Sequence, residues 1–185
     1  MTKAGSSAVE AAFAPHCEVI LSKAPNIKHM RYRRYEKVVL PFLERLTDGP
    51  FESFAILRDP IDWLESWHRY RARPELNGHP NSTSDMTFET FAERYLSRND
   101  ETLRPIGRPK EFLKSTTRTI GPDHLFRYDR MKDVAAFLSL RLGKDIQFPK
   151  TNVSPDIGPQ RLPPELRQRL KDYFAPEYSI LDSLA

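Results

Sequence analysis

The chain has 185 residues, 39% of them hydrophobic and 29% charged, with a formal net charge of +4. That length suits one domain, residues 1–185, with a real core, and the composition is ordinary for a soluble globular protein. One cysteine, Cys17, excludes an intramolecular disulfide, and no run approaches the roughly 20 apolar residues of a membrane-spanning helix. The first residues also lack a basic segment followed by an apolar one, so neither a signal peptide nor a membrane span is expected, and a cytoplasmic location is. The positive charge favours anionic partners without naming one.

In chain order, Ser6 to Ala14 is rich in helix formers and stops at Pro15. Cys17 to Leu21 is a short apolar run that predicts a buried strand, with Cys17 a buried thiol beside it. Lys28 to Lys37 interleaves cations with aromatic residues. That pattern suits nucleic acid in principle, but no accompanying nucleic-acid-binding signature is present, and a solvated basic face at a helix start explains it equally. Tyr35 to Leu46 carries Val38, Val39, Phe42, Leu43 and Leu46 at helical spacing, interrupted by Pro41. Ser53 to Leu57 predicts the next strand. A helix then opens at Pro60, capped by Asp59, and runs to about Arg71.

Arg73 to Asp85 is a polar loop, and Thr87 to Leu96 a further helix. His124 to Tyr128 predicts a third strand, Lys132 to Leu142 a helix ended by Gly143, and Glu165 to Tyr173 a last amphipathic helix. Strands alternating with helices predict an α/β fold with a parallel sheet. Trp63, Trp67 and Phe54 read as core.

Two stretches carry chemistry. In Lys3-Ala4-Gly5-Ser6-Ser7 a lysine, a glycine and two hydroxyls stand immediately before a helix. A helix N-terminus offers free amides and the positive dipole end, glycine allows close approach of an anion, and the serines and Lys3 add donors. A serine-capped helix start accounts for the same residues without any ligand. The second stretch is Arg58-Asp59-Pro60, at the carboxyl end of a predicted strand, followed at the eighth position by Ser66, two turns along the helix. The Arg58 guanidinium is a planar fork suited to phosphate, though it suits a neighbouring aspartate too. No G-x-x-x-x-G-K-[ST] loop occurs, which removes the usual signature of ATP or GTP cleavage.

Taken together, Lys-x-Gly-Ser-Ser before a helix and Arg-Asp-Pro with a later serine resemble the sulfotransferase superfamily, including its short bacterial members. The resemblance implies a three-layer, P-loop-like α/β fold with a mostly parallel central sheet flanked by helices. It also implies a co-substrate, 3′-phosphoadenosine 5′-phosphosulfate (PAPS), and no metal. Carried over by position, Lys3, Ala4, Gly5, Ser6 and Ser7 would grip the 5′-phosphosulfate, and Arg58 and Ser66 the 3′-phosphate. His124 to Gly143 looks like the family's later strand and helix, and Asn152-Val153-Ser154 like its Asn-x-Ser loop. The family's first strand precedes the phosphate loop, whereas only Met1 and Thr2 stand before Lys3 here. We therefore expect an upstream start, with about five to eight apolar residues forming that strand.

In this reading a hydroxyl or amine of an acceptor, a small molecule or a carbohydrate, attacks sulfur in line. Lys3 stabilises charge growing on the leaving phosphate oxygen. His29 is nominated as the base, its near-neutral intrinsic pKa suiting the work; a surface histidine in a basic stretch is the plainer account. Two alternatives remain open. One is a small-molecule kinase, a type to which the gamma-glutamyl kinase label is sometimes attached. The other is a non-catalytic module binding nucleotides or polyanions. No nucleic-acid partner is expected in the sulfotransferase reading.

Overall fold

The structure, a computed structural model, describes residues 1–149 and 161–184. In chain order its longer elements are α1 (Ser6–Phe13), β1 (Phe54–Leu57), α2 (Pro60–Arg71), α3 (Phe88–Ser97), β2 (His124–Arg127), α4 (Met131–Leu142), α5 (Pro164–Tyr173) and α6 (Ala175–Asp182), joined by shorter helical turns. The fold mixes helices with a small sheet of two parallel strands. Two compact units are distinguished: one takes residues 1–58 and 109–149, the other residues 59–108 and 161–183.

In the first unit, β1 and β2 pair in parallel with Phe54 opposite His124 and Leu57 opposite Arg127. A clamp at their amino ends sets this register. The Ser53 amide and hydroxyl donate to the Asp123 carboxylate at 2.9 and 2.7 Å, and the His124 amide donates to the Ser53 carbonyl at 2.9 Å. The core gathers Ala4, Ile56, Val134, Leu138 and Ile146, with Val9, Phe13, Phe54, Phe126 and Phe137 packed against it. Val134 and Leu138 stand one turn apart, so α4 buries one stripe. Each fully buried aliphatic side chain of this kind contributes about 1.5–3 kcal/mol. Gly143 ends α4 with φ 62°, the left-handed conformation a side chain would resist.

One expectation fails in this unit. Cys17 to Leu21 forms no strand: Val19 is 58% exposed, Ile20 45% and Leu21 47%, and Cys17 is exposed rather than buried. The apolar run has strand propensity, but a strand also needs a paired backbone, and the β1–β2 ladder does not extend to it. The Tyr35 to Leu46 helix is irregular. It begins with Tyr32–Arg34, widens into a π-helical turn at Tyr35–Val39 and ends as α-helix at Leu40–Leu43. Pro41 gives the reason: its ring clashes with the carbonyl four residues back, and a widened turn relieves the clash.

The second unit is helical. Asp59 caps α2, its Oδ1 accepting from the Ile61 and Asp62 amides at 2.9 and 3.1 Å, and Thr87 caps α3 through the Thr90 amide at 3.2 Å. The Asp59 cap stands where the sequence places it. Trp63, Phe91, Tyr95, Leu170 and Phe174 are fully buried, and the Trp63 ring meets Tyr95 and Phe174 edge-on at 6.4 and 6.5 Å. Trp63 is core, as its place in the pattern predicts, and Trp67 packs against the same cluster. Arg108 forks onto the buried Glu177 at 3.0 and 2.5 Å and donates to the Tyr173 carbonyl at 2.6 Å.

Candidate functional site

The chain enters α1 through two left-handed residues. Lys3 has φ 57° and Gly5 φ 78°. Left-handed backbone is ordinary for glycine, but for lysine it costs on the order of 1 kcal/mol and persists only where the surroundings hold it. Ala4 between them is 2% exposed and anchors the turn in the core. Gly5 is the N-cap of α1 and its carbonyl accepts from the Ala8 and Val9 amides, both at 3.0 Å. No side chain caps the helix start and no acidic residue lies in its first turn. Ser6 and Ser7 form that first turn and are half-buried. The result is a helix end whose first turn carries no acidic side chain.

Arg58 leaves the carboxyl end of β1 and reaches this turn. Its Nη1 donates to the Lys3 carbonyl at 3.4 Å, and its guanidinium carbon lies 4.5 Å from the centre of the Tyr128 ring. The strand register explains the stacking. Leu57 and Arg127 are partners, so the next residues, Arg58 and Tyr128, leave the sheet side by side. An edge of the same ring faces Gly5, 3.2 Å from where a Cβ would stand. Tyr128 thus touches both the glycine turn and the guanidinium. Sequence reasoning took Tyr128 only as the end of a strand. The usable signal was its place one residue beyond β2, matching Arg58 beyond β1.

His29 ends the short helix Pro25–Lys28 and is half-buried, with Nδ1 enclosed and without a hydrogen-bond partner among the described residues. Burial lowers its pKa, and the N-terminal ammonium, Lys28 and Lys3 lower it further, with Glu10 opposing them. His29 is therefore neutral near pH 7 and lies within electrostatic reach of Lys3. Glu10 in turn accepts from Lys28 at 2.5 Å, which holds its carboxyl below the usual carboxylate range.

A groove of about 330 Å³ adjoins the turn, lined by Ala4, Ser6, Val9, Phe13, Ile20 and the β1 residues Phe54 to Ile56, with Glu10 and Lys28 also on its wall. The structure therefore brings Lys3, Ala4, Gly5, Ser6, Ser7 and Arg58 into one unit around one turn, with His29 in the same unit. Ser66 belongs to the second unit, where it is 5% exposed on α2. The Asn152-Val153-Ser154 loop lies outside the described residues. No group of three or more metal-ligating side chains occurs among the described residues, and no helix among them is long and apolar enough to cross a membrane.

No protein-family model, no curated protein and no solved structure matches this chain.

Proposed function

We propose that the chain is a PAPS-dependent sulfotransferase, with the turn from Lys3 to Ser7 as the phosphosulfate loop. The observation that carries this reading is the Arg58 to Lys3 hydrogen bond beside Tyr128. It ties a guanidinium at a strand's carboxyl end to a left-handed glycine turn that opens a helix. Both parts are anion-binding elements, and a donor with phosphates at two positions needs two of them. The three-layer, P-loop-like architecture and a cytoplasmic location belong to the same proposal.

Each residue has a task in it. The first amides of α1 with Ser6 and Ser7 hold the 5′-phosphosulfate, and Gly5 keeps the backbone close. Arg58 holds the 3′-phosphate, to which motif spacing also assigns Ser66. The acceptor oxygen or nitrogen forms a bond to sulfur as the bond from sulfur to the bridging phosphate oxygen breaks. Lys3 stabilises the charge left on that oxygen. His29, neutral at pH 7, takes the proton released by the acceptor. Adenosine 3′,5′-bisphosphate departs.

Calorimetric titration tests the reading. Adenosine 3′,5′-bisphosphate should bind at least about tenfold more tightly than 5′-AMP, the worth of one charge-assisted hydrogen bond, and more tightly than ATP. Equal affinity for the three nucleotides overturns it.

A further inference from the structure

The helical segment from Tyr32 to Leu43 has two unlike faces. Its inner face is fastened to residues 115–121 of the same unit. Glu36 accepts from the Ser115 hydroxyl at 2.6 Å and from the Thr116 amide at 2.7 Å, which with the Thr116 hydroxyl holds its carboxyl down to about 2. Arg33 donates to the Ser115 carbonyl at 3.3 Å, and the Tyr32 ring fills the space where a side chain on Gly121 would stand. The outer face is apolar and basic. Val38 and Phe42 on the segment, and Leu46 in the turn that follows it, are 59%, 57% and 62% exposed. Around them stand the exposed cations Arg31, Arg34, Lys37 and Arg45.

We infer that this face is a docking surface for an anionic lipid membrane, on which the segment lies parallel to the interface. Three observations select that occupant. Apolar side chains flanked by cations on one helix face are what an interfacial helix presents, the apolar stripe entering the headgroup boundary and the cations meeting lipid phosphates and carboxylates. The carboxylates of this segment do not cancel that charge: Glu36 is turned inward and bonded, leaving only Glu44 and Asp48 exposed. A second copy docked face to face would set these cations against one another, and nucleic acid would satisfy them while leaving Val38, Phe42 and Leu46 without an apolar partner. Peripheral docking of this kind needs no membrane-spanning helix and is reversible, since one amphipathic face is a single anchoring signal.

Vesicle co-sedimentation of the full chain tests this. Binding to phosphatidylcholine vesicles carrying about 30% phosphatidylserine should exceed binding to pure phosphatidylcholine at least about fivefold, and should fall as salt is raised. Phe42→Ser with Leu46→Ser should weaken the binding about tenfold, while helical circular dichroism stays unchanged because both side chains are exposed. Arg34→Gln with Lys37→Gln touches no apolar residue and should reduce the preference for phosphatidylserine. Binding that ignores either pair, or equal binding to both vesicles, overturns the inference. So does the absence of vesicle binding together with self-association that Phe42→Ser abolishes, seen by sedimentation velocity. Duplex DNA that displaces the protein from vesicles but binds the apolar variant equally well, while vesicle binding is also unaltered in that variant, overturns it as well.

Discussion

The edge of the Tyr128 ring stands 3.2 Å from the position a Cβ on Gly5 would occupy. Gly5 is also left-handed, with φ 78°, so a side chain there meets two penalties: backbone strain and a ring with its own task against Arg58. Gly5→Ala is expected to destabilise the protein by about 1–2 kcal/mol, read as a lower urea midpoint with an unchanged slope. Tyr128→Leu in the same background should recover part of that loss by giving the new methyl room. An Ala variant as stable as the parent would show that the turn does not need glycine.

Arg58 and Lys3 are joined by one hydrogen bond but have separable tasks in the proposed reaction. Arg58→Ala should erase most of the preference for adenosine 3′,5′-bisphosphate over 5′-AMP, a loss of about 1.5–3 kcal/mol of binding by calorimetry. Lys3→Ala should lower turnover far more than product affinity, because the ammonium acts on charge that grows during transfer. If sulfuryl transfer proceeds unchanged in the Lys3 variant, that assignment is wrong. Unchanged kinetics in His29→Ala would likewise return His29 to a structural role.

Arg108 and Glu177 form the ion pair of the second unit that matters for stability. Glu177 is fully buried, and Arg108 satisfies both its oxygens while stacking 4.2 Å from the centre of the Tyr173 ring. Removing the cation alone takes two charge-assisted hydrogen bonds from a buried carboxylate. Arg108→Met is expected to cost about 3–5 kcal/mol, whereas Arg108→Met with Glu177→Leu should cost clearly less, since no unpaired charge remains. Guanidinium melts of the two variants decide this, and a double variant no more stable than the single one would refute it.

His68 gives the second unit a dependence on acid. It is 3% exposed between Phe88 and Phe91, its Nε2 lies 2.7 Å from the Met86 carbonyl and donates to it, and Nδ1 has no partner among the described residues. Burial lowers its pKa, with the Met86 hydrogen bond opposing and Arg69 adding repulsion. The unfolded chain therefore binds this proton more readily than the folded one. The stability His68 contributes is complete above the ordinary histidine pKa and is lost as pH falls through that value toward the lowered one. Urea midpoints should drop between about pH 7.5 and pH 5, and His68→Gln, which can still donate to Met86, should flatten the drop. His29 shifts in the same direction, so His29→Gln is the companion that apportions the effect. A pH profile unaltered in both variants would rule the histidines out.

Much of the local structure is fixed by neighbours in sequence, because its determinants act over one or two turns. Asp59 before Pro60 and Gly143 after α4 act through caps that reach only three or four residues, and each stands where the sequence places it. Strand periodicity likewise marks Phe54–Leu57 and His124–Arg127, whose apolar side chains bring them to one core. The apolar run at Cys17 to Leu21 has the same local character and forms no strand, since a ladder requires a partner that local character does not supply. The Lys3 to Ser7 turn and Arg58 are visible as two separate candidate stretches. That they meet is decided only by the parallel register of β1 and β2, which sets Arg58 beside Tyr128 and Tyr128 against Gly5, a contact spanning more than a hundred residues of chain. The exposed stripe of Val38, Phe42 and Leu46 is tertiary in the same sense. Its spacing predicts a buried face, and it turns outward because Tyr32, Arg33 and Glu36 hold the opposite face against residues 115–121.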